Sequence, residues 1–342
     1  MIIGVCGFGY TGSGAVIDLL KEYCDVQVLD YEEFGIAYRP DGLEDLKYHL
    51  FSPSRYMACD VAISRFLQFI DYTFRPTSRY GNVSTQIHEL TKEYIASIVQ
   101  VQWKGCWSWD VYNSTSIEKI FKWHILPSID KILNHCCDTY ISKFFTRQMY
   151  LSSCPQFFDE LTRKYVTSIL AILGYDDKKM LVINQAFSAD NPLKSFAFFE
   201  SPKAIVVDKD PRDLYFLCKK ELIADCMWVP TDNVDDFIDY YACMRHDYYY
   251  LNAPNILLIN FESLIYEYES TINKIESFIG LKSQQHILPK HYFVPNISEN
   301  NTQLFRKYKD YKNDIEKIKQ RLQRFLYPYN KYASKTTWGK AF

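Results

Sequence analysis

The chain has 342 residues, 39 basic and 41 acidic side chains, a formal net charge of −2, and is 48 % apolar and 23 % charged. This composition can build a packed core and excludes the low-hydrophobicity, high-charge regime of disorder. The near-neutral balance excludes bulk nucleic-acid binding, which needs a strong basic footprint, while leaving room for a local basic pocket.

Tyrosine is abundant, 28 beside 23 Phe, and its apolar body with a polar tip suits half-buried walls and clefts that stack on sugars. Ten cysteines occur without CxxC spacing, and Cys136 and Cys137 are adjacent, which is poor chelating geometry. Met1–Cys6 has no basic leader and Gly7 and Gly9 interrupt the apolar run, so the expectation is reduced thiols, a cytoplasmic location and no metal site. No run reaches the ~18 apolar residues of a membrane span.

In chain order, Ile2 to Cys6 reads as a buried strand, followed by the loop Gly7-Phe8-Gly9-Tyr10-Thr11-Gly12-Ser13-Gly14 and a helix from Ala15 to Tyr23. Val26 to Leu29 reads as a second strand, leading into Asp30-Tyr31-Glu32-Glu33-Phe34. A β-α-β start with parallel strands is the simplest joining of these pieces. Residues 39–177 change character: helical periodicities run over 56–70, 89–100, 117–133 and 157–173 with few strand signals between them. This block, which holds Trp103, Trp107, Trp109 and Trp123, reads as a helical insertion or lid within a single 1–342 domain.

Strand signals resume at Met180–Asn184, Ala204–Val207 and Ile256–Asn260, each an apolar run suited to a parallel strand covered on both faces. Helices are expected over Asp232–Tyr250, Tyr268–Ile279 (closed by Gly280) and Asn313–Phe325. The 302–342 tail carries 11 Lys or Arg against 3 Asp or Glu, which reads either as a solvated helix face or as cations facing an anionic ligand. The fold class is therefore α/β: a P-loop-like parallel sheet covered by helices, with a large helical insertion after the second strand.

Three loops could carry chemistry. Gly7 and Gly12 have the glycine spacing of GxxxxGK[ST], so backbone N–H groups of Gly9, Tyr10, Thr11, Gly12, Ser13 and Gly14 could cradle a phosphate at a helix N-terminus. Ser13 and Gly14 replace the Lys and the Ser or Thr that hold the γ-phosphate and magnesium, which disfavours a P-loop kinase or NTPase. Gly7, Gly9 and Gly12 also fit a dinucleotide GxGxxG, with Asp30 as the acidic partner. The second loop, Lys209-Asp210-Pro211-Arg212-Asp213, puts two cations at a strand end, the ligand-binding edge of an open α/β sheet. The third is Asn260-Phe261-Glu262-Ser263-Leu264, followed by Phe278-Ile279-Gly280-Leu281.

In order and position these segments resemble the sulfotransferase family, specifically the bacterial carbohydrate or capsular polysaccharide type. The resemblance implies 3′-phosphoadenosine-5′-phosphosulfate as donor, its 5′-phosphosulfate on the first loop and its 3′-phosphate beside Lys209 and Arg212, with no metal required. It also implies a carbohydrate acceptor in surface polysaccharide synthesis, and a His or Glu as general base: Glu33 just after the second strand, then His124, then His49. Tyr10 stands where many members carry a loop Lys or Arg, a charge that Lys143, Arg147 or the basic tail could supply. Lys209 stands for the usual Arg, and Leu217, beside Cys218, for the expected Ser. Asn300-Asn301-Thr302-Gln303 with Arg306 and Lys307 is a further candidate loop for the 3′-phosphate. The missing loop cation also admits a non-catalytic nucleotide- or glycan-binding relative.

Overall fold

The structure, a computed structural model, describes residues 1–29, 33–52, 56–107, 110, 115–137, 140–142, 146–246 and 253–339. Five parallel strands form the central sheet: β1 (Ile2–Gly7), β2 (Val26–Leu29), β5 (Met180–Asn184), β6 (Pro202–Asp208) and β7 (Ile256–Asn260), in the order β2-β5-β1-β6-β7. Two further strands, β3 (Val101–Gly105) and β4 (Arg147–Leu151), form a separate antiparallel pair. The helices are α1 (Ser13–Leu20), α2 (Leu43–Phe51), α3 (Tyr56–Thr73), α4 (Ser84–Ile98), α5 (Ser116–Ile120), α6 (Leu126–Cys137), α7 (Phe158–Ile172), α8 (Pro211–Phe216), α9 (Val234–Cys243), α10 (Phe261–Tyr266), α11 (Tyr268–Ile279), α12 (Pro295–Ser298), α13 (Leu304–Lys307) and α14 (Lys312–Arg321). The α/β class with a parallel sheet is the one expected.

Strand alternation divides the core. Ile3, Val5, Val182, Ile205 and Val207 face α1 and α11, where Val16, Leu20, Ile272 and Ile275 close one layer. Ile2, Cys6, Leu181, Ile183 and Val206 face the other way, toward α2, α3, α4 and α7. The period of two in the strands, apolar on both faces, is what a parallel sheet covered on both sides requires. A third cluster joins α8 and α9 to α14 through Leu214, Phe216, Phe237, Tyr241, Ile315 and Ile318. The loops after β1, β6 and β7 therefore emerge side by side at the carboxyl edge of adjacent strands.

Two differences from the expected elements have physical causes. The β3–β4 hairpin lies inside the block read as helical; four of the five β3 residues are exposed, so no core-facing alternation marks it. The continuous helix expected over 117–133 is split by a π-helical turn at Phe121–Ile125. Pro127, in the first turn of α6, has no N–H to give to the carbonyl one turn back, and the wider turn absorbs the mismatch. Parts of the chain singled out earlier, namely Asp30, Tyr31, Glu32, Trp109, Lys143 and residues 247–250 of the expected 232–250 helix, lie outside the described residues.

Candidate functional site: a phosphate-type loop facing Lys209

The loop between β1 and α1 is closed from both sides. Thr11 Oγ1 accepts from Phe8 N (3.1 Å) and donates to Val207 O (2.7 Å), stapling the loop to β6. Gln185, at the end of β5, bridges the two ends of the turn: its Oε1 accepts from Gly7 N and its Nε2 donates to Ser13 Oγ, each at 3.3 Å. Gly12 has φ 97° and its Cα faces the Phe261 ring, so a side chain there would meet both backbone strain and the ring. Gly14 at the first turn of α1 faces open space. The loop thus presents α1's N-terminal amides to a cavity, the geometry that favours an anion.

That cavity measures about 420 Å³ and is lined by Tyr10, Gly12–Ala15, Lys209, Phe261 and Phe293, with Ser298 and Asn301 from the α12 region. Lys209 is the cation among the described lining residues, and its Nζ lies 3.8 Å from the centre of the Phe261 ring. It is 2 % exposed, and burial lowers its affinity for a proton although Glu262 and Asp213 oppose this. Glu262 is completely buried; its Oε1 accepts from Asp210 N (3.0 Å) while Oε2 has no hydrogen-bond partner. Burial pushes this carboxyl up to about 8, against the pull of Lys209. A buried lysine in the cavity wall, next to a carboxyl whose hold on its proton burial strengthens, is left for an anion to pair with.

Arg212 has a different role from the one its position suggested. Its Nε and Nη2 donate to the two oxygens of Asp210 (2.9 and 2.6 Å), its Nη2 also reaches Tyr327 O, and it stacks 4.2 Å over Phe305. Asp210 caps α8 through Arg212 N and accepts from Tyr327 N, while Asp213 accepts from Gln303 N, Leu304 N and the Tyr329 hydroxyl. The Lys209–Asp213 segment is therefore a hub on which the C-terminal tail docks, with Lys209 alone turned to the cavity. Beneath it, Asp208 and Arg245 form a buried pair (2.5 Å).

Several of the tail's cations are spent in ion pairs: Lys307 with Glu221, Lys317 with Asp235, Lys319 with Glu316, and Arg321 with Asp235 and Asp239. Lys335 is held at the α12 region: its Nζ donates to Glu299 O (2.7 Å) and lies 4.0 Å from the Glu299 carboxylate, two residues from cavity residue Asn301. It, rather than Arg306 or Lys307, brings tail charge close to the cavity.

Tyr10, in the left-handed region at φ 55°, donates its hydroxyl to Asp225 O and packs on Trp228 (ring centres 5.7 Å). Trp228 covers the Cα of Gly9 yet is half exposed, forming an aromatic rim over the loop. Sequence reasoning missed both Gln185 and Trp228; the only signal for the latter is a tryptophan between two apolar residues ahead of Pro230.

Glu33 follows β2 at the sheet's carboxyl edge, where Phe34 N bonds to Asn184 O (3.0 Å) at the end of β5. Its carboxylate is exposed and paired with Arg39 (2.8 Å). His124 lies on the π-helical turn of the α5–α6 segment, exposed, and does not line the cavity. His49 sits in the last turn of α2 against Tyr48. Arg147 does not reach the loop: its guanidinium is held by Asp60 (2.6 Å) and Asp110 (2.8 Å) across the hairpin.

No family model and no curated protein matches the chain. Among solved structures, the sulfotransferase domain from the curacin biosynthetic pathway aligns at TM-score 0.41 and 12 % identity, over 85 % of this chain and 77 % of that one. Retinol dehydratase in complex with androsterone and the inactive cofactor PAP aligns at 0.36 and 12 %, over 96 % and 81 %. Sulfotransferase STF1 from Mycobacterium tuberculosis H37Rv aligns at 0.34 and 11 %, over 88 % and 76 %.

Proposed function

We propose that the chain is a sulfotransferase that moves a sulfuryl group from 3′-phosphoadenosine-5′-phosphosulfate to a hydroxyl of a carbohydrate, in bacterial surface polysaccharide synthesis. The observation that carries this reading is one cavity with two anion-receiving features: the α1 amides behind Gly12–Gly14, and Lys209 just past the end of β6. A nucleotide with phosphates at both its 5′ and 3′ positions fits that chemistry. The cavity lies within the roughly 300–1,000 Å³ typical of small-molecule sites, with Phe261 and Phe293 as aromatic walls for a base.

In transfer, the bond from sulfur to the phosphate oxygen breaks as the bond to the acceptor oxygen forms. The electron pair leaves on the phosphate and the hydroxyl proton passes to a base; Glu33, after β2 at the sheet edge and outside the cavity lining, is the residue we assign to this role. The loop amides would neutralise charge on the leaving oxygen, the role a loop lysine would otherwise share. The Trp228–Tyr10 rim beside the loop offers an apolar face on which a sugar ring would stack.

The test is calorimetric titration with 3′-phosphoadenosine-5′-phosphate against ADP and ATP, with and without magnesium, at fixed salt. Preference for the 3′-phosphorylated nucleotide, weakened at least ten-fold in Lys209→Ala, is the expected result. Tighter binding of magnesium-ATP, or no binding at all, overturns the reading.

A further inference from the structure

The α5–π-turn–α6 segment, Ser116 to Cys137, carries apolar side chains on the side turned away from the protein. Ile117 is 80 % exposed, Ile120 54 %, Trp123 52 %, Ile125 45 % and Ile132 65 %. The face toward the protein is occupied by other residues: Leu126 and Asp130 are buried, and Asp130 holds the N–H groups of Ile141 (2.6 Å) and Ser142 (3.1 Å). The helix is thus anchored by one side and unpartnered on the other, and its outer side is not the polar surface expected of a solvated helix.

Charge on the segment says what covers that side. Lys119, Lys122 and Lys131 form no ion pair among the described residues; Lys131, His124 and His135 are exposed and Lys119 and Lys122 half-buried. Of the acids, Asp130 faces inward, and Glu118 caps the helix through Thr115 N (2.8 Å) and lies in the field of Lys122 one turn on, so cations outnumber acids on the outside of the segment. A helix with exposed Ile and Trp and an excess of cations over exposed acids is the pattern of an element lying in a lipid headgroup layer. A two-fold contact with a second copy would instead bring the same lysines face to face.

We propose that this segment docks the protein on an anionic membrane surface, the isoleucines and Trp123 entering the headgroup layer and the three lysines meeting lipid phosphates. No helix among the described residues is long and apolar enough to cross a membrane, so the attachment is peripheral. The inference does not depend on the transferase reading.

The experiment is co-sedimentation of the full chain with vesicles of phosphatidylcholine alone or mixed with phosphatidylglycerol, at low and high salt. Binding to the anionic vesicles alone, weakened by salt, is expected. Ile117→Ser/Ile120→Ser/Ile132→Ser should abolish it with the thermal midpoint unchanged. Lys119→Glu/Lys122→Glu/Lys131→Glu, which leaves every apolar group in place, should lower it about ten-fold or more. Equal sedimentation with both vesicle types, binding that survives both variants, or no binding at all overturns the proposal. So does a dimer in analytical ultracentrifugation that the isoleucine variant converts to monomer.

Discussion

Lys209 and Arg212 stand three residues apart in one loop, carry the same charge, and do different work. Lys209 faces the cavity; Arg212 is consumed by Asp210 and the tail. Lys209→Ala should therefore weaken nucleotide binding at least ten-fold with the chain still folded. Arg212→Met should lower stability by about 3–5 kcal/mol, because it leaves the Asp210 carboxylate buried beside fewer partners. Chemical denaturation alongside titration separates the two, and a stable Arg212→Met that fails to bind nucleotide would reverse the assignment. Glu262 gives a pH signature. Its folded pKa, raised to about 8 by burial, means that its stabilising proton is fully present below the ordinary carboxylate range and is lost as pH rises through 8. Stability should fall over that window, and Glu262→Gln should flatten the fall; an unchanged profile in denaturant midpoints from pH 5 to 9 would refute this.

At the scale of elements, the β1–α1 loop is held by contacts that no spacing rule contains. Thr11, counted with the phosphate-binding residues, has both hydroxyl functions committed to Phe8 N and Val207 O. Thr11→Val keeps the shape and removes both bonds, so it should cost about 1–3 kcal/mol and loosen the loop. Faster amide exchange at Phe8 would report it. The glycine spacing made this loop legible because the backbone conformations it needs are open to few residue types. Gln185 was illegible because it arrives from a strand 172 positions away from Ser13. The hairpin and the π turn escaped for a related reason: their residues are placed by neighbours such as Asp60, or by the relief of a proline, and not by a periodic apolar face.

Across the whole molecule, the C-terminal tail is part of the site's architecture. Tyr327 N and the Tyr329 hydroxyl bond to Asp210 and Asp213, and Trp338 Nε1 bonds to Thr302 O (3.0 Å). Ending the chain after Phe325 would strip these partners from two buried carboxylates. The expected outcome is a lower thermal midpoint and easier proteolysis within 208–213, with α/β circular dichroism retained. A truncated protein as stable as the full chain would show that the hub does not need its tail. Four of the 28 tyrosines are packed around one another here, as Tyr266, Tyr327, Tyr329 and Tyr332, and not as sugar-stacking walls.

The sequence alone determined the α/β class, the five parallel strands and the two loops that meet at their ends, because apolar runs and glycine spacing act locally on the backbone. Only the tertiary structure decided which charges remain available. Electrostatic pairing is settled in three dimensions, often between residues far apart in the chain, so Arg212, Arg147 and part of the basic tail are spent on carboxylates, and Lys209 is left facing the cavity.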